Sequence, residues 1–452
     1  MDYRAAQTRP RRPQRGTCQW IFNDPRYNSW LNSRGPSMLM LTGKAGTGKS
    51  VLTRYLTENF LSDGRNGEQS TDVSAGINFF CSSFEAALNS ETTVLQSLLH
   101  QLILLDPQCA VIIQNRLQKR TTTGLSISLK LSTMWTALLE VLSMHTMKSI
   151  FLTIDAIEEL GAEVAVSILS NLWQIVQDLS LNCPESRLKI FISSRQIAAY
   201  TYSLPKLVRL PMRKSQMEKD IGAYLQAAIE DFATQNKAFS DLASSSIRLN
   251  IVAQISRIAD GMFLAAALAW GDFCKGLLWN QETVARKLQR LVSIKPGMTA
   301  FYDRMIDGID EPIRDDAFSI LSILAAAAMP LSETEIGIIL GISNASRKVM
   351  RSTDVQPFRY LNDMMEMHIP DFINIQEDSR VTLVHLSFKE YLESREDFHE
   401  ILLSGHRNIT RSCLTYLKLR DLLQDASDTR SRAGMSLYTP LKYDNRTRRM
   451  LI

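Results

Sequence analysis

Four short apolar runs punctuate the first half of the chain: "SMLML" (Ser37 to Leu41), "GINFF" (Gly76 to Phe80), "SIFLTI" (Ser149 to Ile154) and "LKIFIS" (Leu188 to Ser193). None alternates apolar with polar residues, which is how strands covered on both faces read. "KLVRL" (Lys206 to Leu210) is a weaker fifth candidate. Between the runs, apolar residues recur at helical spacing. Val51, Leu52, Tyr55, Leu56 and Phe60 form one stripe, with Gly64 as its stop. "TTVLQSLLHQLILL" (Thr92 to Leu105) ends at Asp106-Pro107, where proline disfavours continuation. "STMWTALLEVLSMH" and "VAVSILSNLWQIVQDL" complete the set. This alternation predicts an α/β fold, a parallel sheet with helices on both faces.

Beyond Arg213 the texture becomes nearly all helical until "VTLVHL" (Val381 to Leu386), which reads as a further β run. The expected layout is a basic, disordered tail over 1–14 and an α/β domain over 15–212. A helical domain over 213–310 follows, then a winged-helix-like unit over 311–400 and a helical or partly disordered segment over 401–452. No internal repeat is visible. "GMFLAAALAW" (Gly261 to Trp270) and "AFSILSILAAAAMPL" (Ala317 to Leu331) are too short for the roughly 18–20 apolar residues of a membrane span. Both are expected to be buried helices.

Composition narrows the class. A chain of 452 residues calls for two or three domains. The 45% hydrophobic and 22% charged content is that of a soluble globular protein. A net charge of +4 is too mild to argue for nucleic acid. Arg9, Arg11, Arg12 and Arg15 at the start and Arg446, Arg448 and Arg449 at the finish read as solvated tails. No secretory signal follows the polar, Arg/Pro-rich start. The six cysteines include no CxxC pair, so neither a zinc site nor a disulfide framework is suggested, and a reduced, cytoplasmic setting is expected.

The chemistry begins directly after the first predicted strand. Gly43-Lys44-Ala45-Gly46-Thr47-Gly48-Lys49-Ser50 satisfies GxxxxGK[ST], and Val51 opens the helical stripe behind it. Glycines let the backbone curl so that successive N–H groups face phosphate oxygens, and the following helix adds its positive end. Lys49 would reach the β- and γ-phosphates of ATP or GTP, and the Ser50 hydroxyl would hold Mg²⁺.

Such a loop needs a carboxylate at a strand end. "IFLTIDAIEEL" supplies Asp155, a metal partner through a water. Glu158 and Glu159 follow; either would orient or deprotonate an attacking water, or both are simply a solvated, acidic helix start. Arg195 closes "FISSR" at the carboxyl edge of the fourth strand, where it contacts a γ-phosphate or pairs with a nearby acid.

With these residues assembled, the chain resembles the NACHT family of signal-transducing P-loop NTPases, in particular fungal members with a nephrocystin-like N-terminal region. "GTCQWIFNDPRYNSWL" resembles that group's lead-in segment. "NFFCSS", "IDAIEE", "KIFISSR", "VRLPMRKSQMEKDIGAYL", "ADGMFLAAALA" and "LQRLVSIKPGMTAFYDRMI" follow in the group's order. "LSETEIGIILGI" and "VTLVHLSFKEYL" resemble its winged-helix domain. The likeness covers roughly 16–400.

The resemblance implies a switch, closed with diphosphate and open and assembling with triphosphate, through self-association or association with other NACHT proteins. It assigns Lys49 and Ser50 to the phosphate loop, Asp155 to the metal and Arg195 to the sensor position. His385 in "HLSFKEYL" falls on the histidine that touches the β-phosphate of bound diphosphate. From the residues alone, His385 is a hydrogen-bonded core histidine.

Two departures matter. Glu158 stands where the group usually has aspartate, which shifts the carboxylate by about one C–C bond and argues for binding without efficient hydrolysis. "LVSIKPG" moves the usual proline to Pro296. Nor does any stretch of these residues look like an effector fold or a repeat array. A minimal switch, a regulator of longer relatives and an incomplete gene product all remain open, as do a vestigial-loop scaffold and a small-molecule P-loop kinase. "LSETEIGIILGI" carries no basic recognition face for DNA.

Overall fold

The computed structural model describes residues 12–62, 74–82, 90–118, 131–144, 149–195, 204, 207–276, 278–345, 349–356, 358, 360–376 and 379–419. Gly64, Arg9, Arg11, the C-terminal arginines and residues 420–452 lie outside them. The chain divides into two compact units, residues 1–301 and 302–452.

In the first unit, strands β1 (Ser37–Thr42), β2 (Ser74–Phe80), β3 (Ser149–Asp155), β4 (Leu188–Ser194) and β5 (Val208–Pro211) form one sheet in the order β2-β3-β4-β1-β5. Every pairing is parallel. The non-alternating strand pattern has a simple cause. Successive side chains point to opposite faces, and both faces are covered. Met38, Met40, Ile150, Leu152, Ile154, Ile190 and Ile192 join one core cluster. It also takes in helices α3 (Glu91–Leu105), α5 (Leu131–Leu142) and α6 (Ala162–Asn182). Leu39, Leu41, Phe151, Phe191 and Leu210 join the other, beneath α1 (Pro25–Leu31) and α2 (Lys49–Ser62). Trp30 of α1 fills that second face, its ring 5.8 Å from Phe151 and 6.0 Å from Phe191.

Helix ends follow local chemistry. Pro25 opens α1, and Asp24 caps it by accepting from the Arg26 N–H at 2.9 Å. Ser90 caps α3, which stops at Asp106 before Pro107. α4 (Gln108–Gln118) continues beyond the proline. The buried Glu91 carboxylate accepts from Trp135 Nε1 at 2.7 Å and Ser167 Oγ at 3.1 Å, tying α3 to α5 and α6.

At the amino edge of the sheet, Lys189 of β4 is buried. Its Nζ lies within hydrogen-bonding range of four oxygens: Ser33 O, Ser33 Oγ, Gly35 O and Ser37 Oγ, at 2.7 to 3.1 Å. No carboxylate is among them, and burial pushes its pKa down to about 8.

After β5 the unit is helical: α7 (Lys214–Gln235), α8 (Lys237–Leu242), α9 (Ser245–Ala259), α10 (Phe263–Cys274) and α11 (Gln281–Ser293). α10 buries Ala265, Ala266, Ala269 and Trp270, as expected of "GMFLAAALAW". α12 (Met298–Asp307) carries the boundary between units.

The second unit holds α13 (Arg314–Ala326), α14 (Glu333–Ser343), α15 (Leu386–Ser394) and α16 (Glu396–Leu417). Its three-stranded antiparallel sheet has the order β6-β8-β7, from β6 (Leu331–Ser332), β7 (Ile373–Ile375) and β8 (Arg380–Leu383). α14 starts in a reciprocal cap between Ser332 and Glu335. The "VTLVHL" run is a strand only to Leu383. His385 is the N-cap of α15 and Leu386 its first residue. Hydrophobicity alone could not mark this change from strand to helix, because the cap is a histidine in place of the usual serine, threonine or aspartate.

Candidate nucleotide-binding site

The loop over 43–48 leaves the carboxyl end of β1 and runs straight into α2. Its base is pinned on both sides. The Gly43 N–H donates to Ser194 O of β4 at 3.1 Å, and the Met212 N–H just past β5 donates to Thr42 O at 2.8 Å. Gly46 and Gly48 take positive φ, 71° and 90°. A Cβ at Gly46 would stand 3.1 Å from Leu264 Cβ, and one at Gly48 would stand 3.2 Å from Phe263 Cδ2. Only glycine meets both demands without strain. The first N–H groups of α2 are without intrahelical carbonyl partners and so face the loop as anion donors.

Lys49, the first residue of α2, is 8% exposed. Its ammonium donates to Gly43 O and Lys44 O, each at 3.1 Å, folding over the loop. Burial lowers its pKa, while Glu158 and Asp155 oppose the shift. Ser50 is the second residue of the helix.

β4 lies between the loop strand β1 and the acid strand β3, and it supplies the link. Asp155 ends β3 on the face shared by Phe151 and Thr153, beneath α2, and is 3% exposed. Ser193 Oγ donates to Asp155 Oδ1 and accepts from the Ala156 N–H at 2.9 Å. Thr53 Oγ1 of α2 donates to the same Oδ1 at 3.0 Å. Both side-chain hydrogen bonds to Asp155 among the described residues thus fall on one oxygen. The second oxygen keeps its acceptor capacity. Ala156 turns the chain with φ 53°, left-handed for a residue that rarely adopts it.

Glu158 and Glu159 lie in the short helical turn Ile157–Leu160. The solvated-start reading fails for Glu158, whose side chain is 7% exposed. Its Oε1 is 4.0 Å from Lys49 Nζ and 3.5 Å from Arg195 Nε. Its Oε2 is buried with no hydrogen-bond partner among the described residues. Burial raises the Glu158 carboxyl pKa, against the pull of Lys49 and Arg195. Arg195 follows β4 at the sheet's carboxyl edge, and the acid it pairs with there is Glu158.

The loop, Lys49, Asp155, Glu158 and Arg195 therefore converge within the first unit. His385 lies in the second. There its Nδ1 accepts from the Ser387 N–H at 3.0 Å and lies 2.8 Å from Ser387 Oγ, which is 3.0 Å from Tyr302 OH. An accepting Nδ1 puts the proton of neutral imidazole on Nε2.

Several site residues were not foreseen. Thr53 and Ser193 hold Asp155, and their one signal is a hydroxyl inside an otherwise apolar helix face or strand. Phe263 and Leu264 cover the loop, and the Leu264 N–H donates to Gly46 O at 3.2 Å. Nothing in the sequence ties them to a loop more than two hundred residues earlier.

A parallel sheet with a glycine loop entering a helix, a buried lysine and a strand-end aspartate defines a P-loop protein of the nucleotide-binding class. Residues 16–195 match the family model described as nephrocystin 3, N-terminal. Over 332 residues, 71% of this chain, the sequence is 22% identical to the vegetative incompatibility protein HET-E-1 of Podospora anserina. The alignment covers 22% of that relative, so the chain spans about a fifth of its length. Over residues 16–195 the chain is thus similar to the nephrocystin 3 N-terminal family, in line with the NACHT-type resemblance of its motifs. Among solved structures, it is similar to the Aeropyrum pernix ORC2 protein in its ADP form (12% identity, TM-score 0.34, 84% of this chain and 92% of that one). It is likewise similar to a chain in the structure of Drosophila ORC bound to DNA (12% identity, TM-score 0.36, 86% and 89%). Among the described residues, no helix is long and apolar enough to cross a membrane.

Proposed function

We propose that the chain binds ATP or GTP with Mg²⁺ at Gly43–Ser50 and works as a nucleotide-controlled switch with slow hydrolysis at most. The observation that carries this reading is the buried Lys49 ammonium, folded onto two carbonyls of its own loop. Those carbonyls are weak partners for a desolvated cation, and a phosphate is a better one. The Ser50 hydroxyl and, through a water, Asp155 would hold the metal, which neutralises charge on the phosphates. Thr53 and Ser193 fix the aspartate's orientation. Glu158 or Glu159 would orient a water, and Arg195 would reach a terminal phosphate. Glu158 in place of aspartate favours slow turnover.

The same proposal divides the chain into a NACHT domain over 15–212, a helical domain over 213–310 and a winged-helix-like domain over 311–400. His385 as a diphosphate contact rests on the family resemblance, as does self-association, and a cytoplasmic setting rests on the cysteine usage. The test is to denature freshly purified protein and identify released nucleotide by chromatography. Near-stoichiometric ADP or GDP supports the switch and gives the base. A chain that carries none and refuses added Mg-ATP and Mg-GTP overturns it in favour of a scaffold with a vestigial loop.

A further inference from the structure

Two cations of the site share one buried anion. Glu158 Oε1 faces Lys49 Nζ at 4.0 Å and Arg195 Nε at 3.5 Å, and Oε2 has no hydrogen-bond partner among the described residues. Burial favours the neutral form of this carboxyl, and Lys49, Arg195 and nearby backbone N–H groups oppose it. Asp155, Glu159 and Cys81 are the other titratable groups coupled to this cluster. The first two are acids, and burial keeps the Cys81 thiol protonated, so none can stand in for a lost cation.

We propose that Glu158 is an internal competitor for the nucleotide's terminal phosphate and thereby sets how strongly the loop distinguishes triphosphate from diphosphate. The inference rests on the reading that nucleotide binds at Gly43–Ser50. Phosphates in the loop draw Lys49 away from Glu158. A diphosphate leaves the carboxylate its Arg195 partner. A terminal phosphate that also engages Arg195 takes both cations and strands a buried negative charge. Glu158 therefore opposes triphosphate more than diphosphate, and the resting protein favours diphosphate. A glutamate acting only as the water-activating base behaves differently: its glutamine variant loses hydrolysis and keeps its affinities.

The experiment titrates full-length wild type and Glu158→Gln with four Mg-bound fluorescent mant probes: ADP, GDP and the non-hydrolysable imido analogues of ATP and GTP. The isosteric variant should bind the triphosphate analogue of the preferred base about tenfold more tightly, since a charge-assisted hydrogen bond is worth tenfold or more. Its diphosphate affinity should rise by about threefold at most. Equal affinities in wild type and variant, or weaker triphosphate binding by the variant, overturn the inference and leave the nucleotide reading intact. Failure of both proteins to bind any probe overturns that reading itself. If Glu158→Gln does not fold, Glu158→Asp withdraws the carboxylate by one bond. It should show the same selective gain at smaller amplitude, and no gain there overturns the proposal.

Discussion

Removing a single hydroxyl, in Ser193→Ala, should uncouple the acid strand from the strand beside it. Ser193 is fully buried, donates to Asp155 Oδ1 and accepts from the Ala156 N–H at 2.9 Å. The variant deletes a hydrogen bond to a charged acceptor, a loss of about 1.5–3 kcal/mol. It also leaves a buried N–H unsatisfied, at about 1–3 kcal/mol. The two losses share one atom and overlap, so a net destabilisation of about 2–4 kcal/mol is expected. At about 2 °C per kcal/mol for a unit of this size, Tm should fall by about 4–8 °C. Differential scanning fluorimetry would measure it in four proteins: wild type, Ser193→Ala, Asp155→Asn and the double variant. In the Asp155→Asn background the charged acceptor is gone, so the serine deletion should cost clearly less. A Tm within 1 °C of wild type, or an equal cost in both backgrounds, would refute the coupling.

Other expectations are simpler to check. Lys49→Ala should weaken nucleotide affinity by about ten- to a hundredfold in equilibrium titration, from loss of a charge-assisted hydrogen bond; unchanged affinity would sink the loop assignment. Gly48→Ala forces alanine to φ 90° with its Cβ 3.2 Å from Phe263 Cδ2. At about 1–2 kcal/mol of left-handed strain, it should lower Tm and impair nucleotide binding together, and a variant unchanged in both would remove the need for glycine. Lys189 gives a pH signature: its folded pKa is about 8 against an ordinary 10.5. Between those values the unfolded chain binds the proton and the folded one does not, so this residue's contribution to stability rises with pH across that window. Compared with Lys189→Met, wild-type stability should gain ground from pH 8 to 10.5; parallel pH curves would contradict it.

Much of the sheet was legible because its strands are apolar on both faces. That composition follows directly from burial between two helical layers. The strand order was not legible, since a parallel register leaves no mark in a run such as "LKIFIS". Yet the order decides the site: only with β4 beside β3 do Ser193 and Asp155 meet. Lys189, a charge inside that same run, was a signal of a buried polar clasp, and its partners lay in a turn that hydrophobicity does not describe. Glu158 and Glu159 are equal candidates in the sequence, and it is the folded position of Glu158 against Lys49 and Arg195 that singles it out. The strand-to-helix change at His385 was missed because an imidazole rarely caps a helix.

The seat of α10 on the loop has a mechanical consequence. The Leu264 N–H rests on Gly46 O at 3.2 Å, so the helix stands with one end on the segment that a phosphate would rearrange. Its twelve residues make a rod about 18 Å long. A tilt of about 5° at the seat carries Cys274, at the far end, by about 1.5 Å. The aromatic knot of Phe232, Trp270, Phe273 and Trp279 grips that far end and resists bending. Any displacement at the glycines would be amplified with distance along the helix, against the hold of that aromatic cluster.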